Sequence, residues 1–274
     1  LPGTLYVVAT PIGNLEDISY RAVRVLGEAD VIACEDTRQT RKLLDRYGLA
    51  KPLEPLHEHN ERDRAPELAR RMMEGLTVAL VSDAGTPLIS DPGYRVVREA
   101  IAAGVPVVPI PGASAVLAAL AASGLPTDEF AFCGFLPPKA GARRAELESR
   151  ADEARTVIYF EAPHRILETL ADLAAALPGR PVAVARELTK LHEEILRGTA
   201  EEIRATLAAR PAVQGEFVLL IGRAERLADA PDPEALRAAV ARRIAEGRSK
   251  MDAIKATARE FGLAKGEVYR AMEE

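Results

Sequence analysis

Short apolar runs recur along this chain, and each ends in a polar or glycine-containing loop. The runs Leu5–Ala9, Asp30–Ala33, Thr77–Val81, Val105–Ile110, Phe130–Gly134, Thr156–Phe160, Val182–Ala185 and Phe217–Ile221 predict strands. Continuous apolar stretches of this length suit strands buried on both faces. Between most of them the pattern changes to helical spacing, over Tyr20–Leu26, Thr37–Tyr47, Arg62–Glu74, Pro92–Ala103, Ala113–Ser123, Ala140–Ala154, Arg165–Ala176 and Ala200–Ala208. The alternation predicts an α/β fold with largely parallel sheets. Residues 1–111 hold enough strands for one sheet and 112–228 enough for another, with a hinge near Pro109–Gly112. Asp229-Ala-Pro231-Asp-Pro233 then reads as a linker to an appendage, so that 229–274 form a third segment.

The appendage has the pattern of a helix-turn-helix. Ser249 with Asp252 three residues on has the form of a capping box, and Ile254 and Phe261 mark the apolar face of the helix that follows. Gly262 supplies a turn, and a second helix carries Val268, Tyr269 and Met272. Lys250, Lys255, Arg259, Lys265 and Arg270 are left for solvent or phosphate.

Charge sharpens that division. The chain carries 36 Lys and Arg against 41 Asp and Glu, which argues against a uniformly basic nucleic-acid binder. Residues 235–272 nevertheless hold nine Lys and Arg against four Asp and Glu. A basic tail on an acidic body suits a polyanion. Lys139, Arg143, Arg144 and Arg150, after Pro137-Pro138, read as a second arm able to reach phosphate. Two cysteines, Cys34 and Cys133, are too few for a disulfide framework and suit buried thiols in a reducing cytoplasm. Apolar runs fall well short of the ~20 residues needed to span a bilayer. Leu1-Pro2-Gly3 leads into a strand rather than a signal peptide, and a first residue other than methionine predicts that a few residues precede it.

The candidate chemistry lies in the loops that follow strands. These are Ala9-Thr10-Pro11-Ile12-Gly13-Asn14, Asp83–Gly93, Pro111-Gly112-Ala113-Ser114-Ala115 and Glu161-Ala162-Pro163-His164-Arg165. Ligands of open α/β sheets sit beyond the carboxyl ends of strands. Glycines there let backbone approach a ligand, and a helix start after Pro111 can receive an anion. Neither G-x-G-x-x-G nor G-x-x-x-x-G-K-[ST] occurs, which counts against the usual dinucleotide fold and an NTPase. His57-Glu-His59-Asn-Glu61 offers an i, i+2 histidine pair without convincing further ligands, so no metal is expected.

The ordered series VVATPIGNLEDIS, CEDTRQTRKLL, HEHNE, VSDAGTPLISDPG, PIPGASA, FCGFLP, YFEAPHRI, ARELTKLHEEILRG and GEFVLLIG resembles the tetrapyrrole methylase superfamily of S-adenosylmethionine-dependent enzymes. Within it the chain is similar to the ribosomal RNA small subunit methyltransferase I family, over essentially its whole length. The resemblance implies two α/β domains with the methyl donor in the cleft between them, a helical appendage and a homodimer. Carried onto this chain, Pro11, Ile12, Asp83, Ala84, Gly85, Thr86, Ile89, Ser114, Ala115, Ala162, Pro163, Leu188, Glu216 and Phe217 would line the donor site. Thr86 stands where tetrapyrrole enzymes often carry Asp, and the ATPIGN loop lacks their glycine-rich form, which fits the RNA branch better.

The implied reaction is methylation of the ribose 2′-hydroxyl of a cytidine in the decoding region of 16S rRNA, in the small ribosomal subunit. Such a hydroxyl needs positioning and a proton acceptor. Glu35, Asp36, Glu161, His164, Glu187 and Lys190 stand near predicted strand ends, and Glu161 and Lys190 rank first. Arg38, Lys139, Arg143, Arg144, Lys250, Lys255, Lys265 and Arg270 are the expected RNA contacts. Asp36 and Arg38 could instead cap a helix and pair on its surface. Two other readings stay open: a tetrapyrrole C-methyltransferase of the corrin or sirohaem type, and a ligand-sensing regulator with a DNA-binding tail.

Overall fold

A computed structural model describes residues 1–224, 233–261 and 263–272. The chain divides into two compact units, Leu1–Ala224 and Glu225–Glu274.

The first unit opens with a sheet of five parallel strands: β1 (Leu5–Val8), β2 (Val31–Cys34), β3 (Leu53–Pro55), β4 (Val78–Val81) and β5 (Val107–Ile110), in the order β3-β2-β4-β1-β5. Helices α1 (Tyr20–Glu28), α2 (Thr37–Arg46), α3 (Glu61–Met73) and α4 (Tyr94–Ala102) connect them. Every residue of β2 and β4 is buried, as expected of inner strands covered on both faces. One face packs Leu5, Leu80, Leu68 and Met72, and the other packs Val8, Ile32, Leu26 and Leu44.

The second sheet departs from the expected parallel form. Strands β6 (Phe130–Phe135), β7 (Thr156–Glu161), β8 (Val182–Arg186), β9 (Glu194–Gly198) and β10 (Phe217–Ile221) take the order β6-β7-β10-β8-β9. Only β6 and β7 pair in parallel; β10 runs antiparallel to both β7 and β8, and β8 antiparallel to β9. For β8 and β9 the reason lies in their connection. A helical crossover is what parallel neighbours require, whereas the link from β8 to β9 is a short loop. Helix α5 (Ala115–Ser123) packs on one face with Ile158, Ala183 and Leu220. Helices α6 (Ala140–Glu148), α7 (Ile166–Ala176) and α8 (Ala200–Ala208) belong to the other, around Tyr159, Leu170 and Leu219.

Among the described residues the second unit has three helices rather than two: α9 (Pro233–Ala245), α10 (Lys250–Phe261) and α11 (Lys265–Ala271). They bury Leu236, Val240, Ile254 and Val268 together. Ser249 accepts the Asp252 N–H at 3.2 Å and donates to the Asp252 carboxylate at 2.7 Å, which fixes the start of α10. Of the expected linker 229–233, Pro233 is the first residue of α9, while 229–232 and the turn at Gly262 lie outside the described residues. No helix among the described residues is long and apolar enough to cross a membrane.

Candidate active site

The loops that leave the ends of β1 and β4 are bonded to each other. Thr10 and Gly85 exchange backbone hydrogen bonds of 2.8 and 3.1 Å, and the Thr10 hydroxyl donates to the Ser82 carbonyl at 3.2 Å. Gly85 has φ of +79°, a conformation that glycine adopts without a Cβ penalty. The Thr86 hydroxyl extends this connection by donating to the Ala113 carbonyl at 3.3 Å. Ser114 then caps α5, accepting the Leu117 N–H.

These loops form one side of a cavity of about 430 Å³. Ile12, Ala84, Gly85, Thr86 and Ile89 line it from the first two loops, and Ser114 and Ala115 from the third. Ala162, Pro163, Leu188, Glu216 and Phe217 line it from the second sheet. Both sets of loops therefore meet at one place. Ser90, Asp91, Val116, Phe135, Phe160 and Val218 complete the wall, and none of them was expected there. Five of the six lie within two positions of an expected residue, and that closeness in sequence was the available signal. Phe135 has no such neighbour: it reaches the wall by stacking edge-on against Phe160 at 5.7 Å. Burial pushes the Asp91 carboxyl up, with Asp83 adding to the effect.

Pro11 and Asp83 do not line this cavity. They face a neighbouring one of about 470 Å³, whose wall shares Ile12, Ala84 and Glu216 with the first. Pro11 and Asp83 border the second space alone, whereas their chain neighbours Ile12 and Ala84 border both. Asp83 is exposed, and its Oδ1 accepts the Asp36 N–H at 2.9 Å.

The two ranked proton acceptors are both engaged. Glu161 lines the first cavity but is buried; it accepts the Ala162 N–H at 2.8 Å and the Thr169 hydroxyl at 2.7 Å, and pairs with Arg165 at 3.3 Å. Both of its oxygens are thus used to hold the turn into α7. Lys190 lines the second cavity, 2.9 Å from Glu187 and 3.2 Å from Glu216. Burial acts to lower its pKa, but the bonds to Glu187 and Glu216 outweigh it and hold the ammonium above its ordinary range. That is opposite to what a lysine base requires.

The expected RNA contacts separate as well. Arg143 is only 2% exposed, with its Nε 2.7 Å from Asp172, so it is corrected to a core residue. Arg144 shares Asp172 at 2.6 Å but is itself 60% exposed. Lys139, immediately before α6, is exposed. Arg38 pairs with Asp36, the N-cap of α2, and this bond holds the Asp36 carboxyl down at about 2. Lys250, Lys255, Lys265 and Arg270 are exposed on the second unit, and Lys255 approaches Asp252 at 3.8 Å.

The HEHNE stretch has a structural explanation. Glu61 is buried and its Oε1 accepts the N–H groups of Gly93 and Arg95 at 3.1 and 2.6 Å, so it caps α4 across the fold. Among the described residues no cluster of His, Cys, Asp or Glu could hold a metal ion. Cys34 is buried, and burial raises its thiol pKa.

Comparison with known proteins identifies the family. Residues 4–204 match the family model for tetrapyrrole (corrin/porphyrin) methylases. The chain is 48% identical to ribosomal RNA small subunit methyltransferase I of Mesorhizobium japonicum, covering 100% of this chain and 92% of that protein. It is 49% identical to the protein of that name from Halalkalibacterium halodurans, over 97% of this chain and 93% of the other. Among solved structures, uroporphyrin-III C-methyl transferase from Thermus thermophilus complexed with S-adenyl homocysteine superposes with a TM-score of 0.53 at 21% identity, covering 82% of this chain and 100% of that one. At that identity the likeness is one of fold.

Proposed function

This chain belongs to the ribosomal RNA small subunit methyltransferase I family of tetrapyrrole methylases, and from that membership we propose that it methylates the ribose 2′-hydroxyl of a cytidine in the decoding region of 16S rRNA. S-adenosylmethionine is the donor. Residues 1–111 and 112–228 act as the two α/β domains that hold it, and 229–274 serve as an RNA-binding appendage. The protein works in the cytoplasm, as a homodimer, on the small ribosomal subunit.

The observation that carries this reading is the 430 Å³ cavity, into which loops from both sheets converge. Its size lies within the range of about 300–1,000 Å³ typical of small-molecule sites. Ile12, Ile89, Leu188 and Phe217 give it apolar walls suited to an adenine and a thioether chain. The start of α5, at Ala115 and Val116, presents backbone N–H groups suited to a carboxylate. Asp91 gives the cavity a carboxylate suited to an ammonium group. When bound, the donor supplies a methyl group already activated by its sulfonium. Glu161 and Lys190 enter as positioning groups: the first holds the Ala162–Pro163 wall, and the second ties Glu187 to Glu216 at the wall shared by the two cavities.

Transfer of labelled methyl to small subunits that lack the modification tests the proposal. The label is expected at one cytidine, and the phosphodiester following it should resist alkaline cleavage, because a methylated 2′-oxygen cannot attack phosphorus. Label on a base, or none on the rRNA, would overturn it.

A further inference from the structure

The second cavity has about the volume of the first and shares three wall residues with it, yet the donor needs only one of them. Its lining is different in kind. Gln39 and Lys42 enter from α2, Asp83 from the loop after β4, and Lys190 from beyond β8. Gln39 and Lys42 stand three residues apart on one exposed helix face, and Lys42 Nζ donates to Gln39 Oε1 at 3.0 Å. That bond engages one lone pair of the amide oxygen and leaves the amide NH₂ and the remaining ammonium hydrogens to donate, so the pair acts chiefly as a donor. Asp83 offers the reverse. With Oδ1 taken by the Asp36 N–H, its Oδ2 is left to accept.

We infer that this second cavity seats the nucleotide that receives the methyl group, with Gln39 and Lys42 gripping acceptor atoms of its base or phosphate and Asp83 taking the proton of its hydroxyl. The inference rests on the RNA-methylating reading given above. A volume near 470 Å³ accommodates one nucleotide drawn out of its stack. The shared wall at Ile12, Ala84 and Glu216 brings that nucleotide beside the donor cavity. In the transfer, the ribose oxygen forms a bond to the methyl carbon as the carbon–sulfur bond breaks. The electron pair goes to sulfur, and the hydroxyl proton goes to Asp83 Oδ2.

Gln39→Ala combined with Lys42→Met, and separately Asp83→Asn, test this on the full chain with S-adenosylmethionine and unmethylated small subunits. The helix-face pair should raise KM for the subunit at least tenfold, as expected on losing charge-assisted contacts. Calorimetric affinity for the donor and the melting temperature should not move. Asp83→Asn keeps an oxygen for the Asp36 N–H, and should lower kcat about 100-fold with little change in KM for the subunit. Transfer to rRNA with an unchanged KM in the double variant, or an unchanged kcat in Asp83→Asn, overturns the inference alone. No transfer to rRNA by the unaltered protein overturns it together with the functional reading.

Discussion

Ile89 and Leu188 line the same cavity, and each stands between two non-glycine residues with positive φ: Leu88 at 73° and Ser90 at 66°, Glu187 at 50° and Thr189 at 65°. Left-handed backbone costs roughly 1–2 kcal/mol per residue and persists where its surroundings over-determine it, often at ligand sites. Ile89 is 43% exposed, whereas Leu188 is 9% exposed and belongs to a core cluster. Ile89→Ala should therefore leave stability within about 1 kcal/mol, and Leu188→Ala should cost about 2–3 kcal/mol. Both should weaken donor affinity. Urea melts with calorimetry decide, and equal stability costs would contradict the assignment.

Glu161 separates a positioning role from proton transfer. Glu161→Gln removes the charge that Arg165 faces from a site where the carboxylate is fully buried. Loss of about 2–4 kcal/mol is expected, since one partner of a buried pair is left behind. Slow but measurable methyl transfer should survive. Full stability with no transfer would return Glu161 to the chemistry.

The Lys190–Glu187 pair predicts a pH window. The Glu187 carboxyl is depressed, chiefly by its hydrogen bond from Lys190, so its contribution is present above the unfolded value of ~4.3 and lost as pH falls through the folded one. The Lys190 ammonium is raised, so its contribution is present below ~10.4 and lost as pH rises through the folded value. The stability cost of Lys190→Met should be flat from about pH 6 to 9 and shrink at about pH 3. Thermal melts across that range measure it; a steep change near neutrality would show a lysine with a depressed pKa.

Asp172 is a buried carboxylate held between two arginines. Burial pushes its carboxyl up, but Arg144 and Arg143 together bring it below the ordinary range. Asp172→Asn should cost about 3–5 kcal/mol at neutral pH, because Arg143 would keep an unpaired charge in the interior. The gap to the unaltered protein should narrow below about pH 4. Denaturant titrations at both pH values check this.

The second unit gives a salt-dependent prediction. Reversing Lys250, Lys265 and Arg270 to Glu should weaken small-subunit binding and flatten its dependence on salt by about 0.7–0.9 for each phosphate no longer neutralised. Donor affinity should stay as it was. Filter binding over a salt series measures the slope, and an unaltered slope would make these residues plain surface.

Eight of the ten strands were legible as apolar runs, and the two that were not explain the limit. Strand β9 reads Glu-Ile-Leu-Arg-Gly, and β3 is three residues ending in Pro55. Both are edge strands with a single neighbour, so neither needs to be apolar along its length. Antiparallel pairing of β10 was equally hidden, because a buried strand looks the same in either direction. At the site, twelve of the fourteen expected donor residues line one cavity. Pro11 and Asp83 were misplaced because loop membership does not state which way a side chain turns. Arg143 was misread for a related reason: a charged residue in a basic segment reads as surface until Asp172, 29 positions away, is brought against it.

The position of β10 bears on how the chain is made. The first sheet is complete once Ile110 has left the ribosome, since all five of its strands precede that point. The second cannot close in the same way. Its middle strand, Phe217–Ile221, is the last to be synthesised, and until it arrives β7 and β8 have no neighbour between them. The nascent protein therefore carries a finished N-terminal half beside an open, apolar gap from Arg186 to Phe217, roughly 30 residues of translation and a few seconds at ordinary elongation rates. Closure comes as one late insertion, and the same insertion brings Glu216 and Phe217 to the wall of the cavity. On the proposed reading, the wall of the donor cavity is thus completed by the same strand that seals the second sheet.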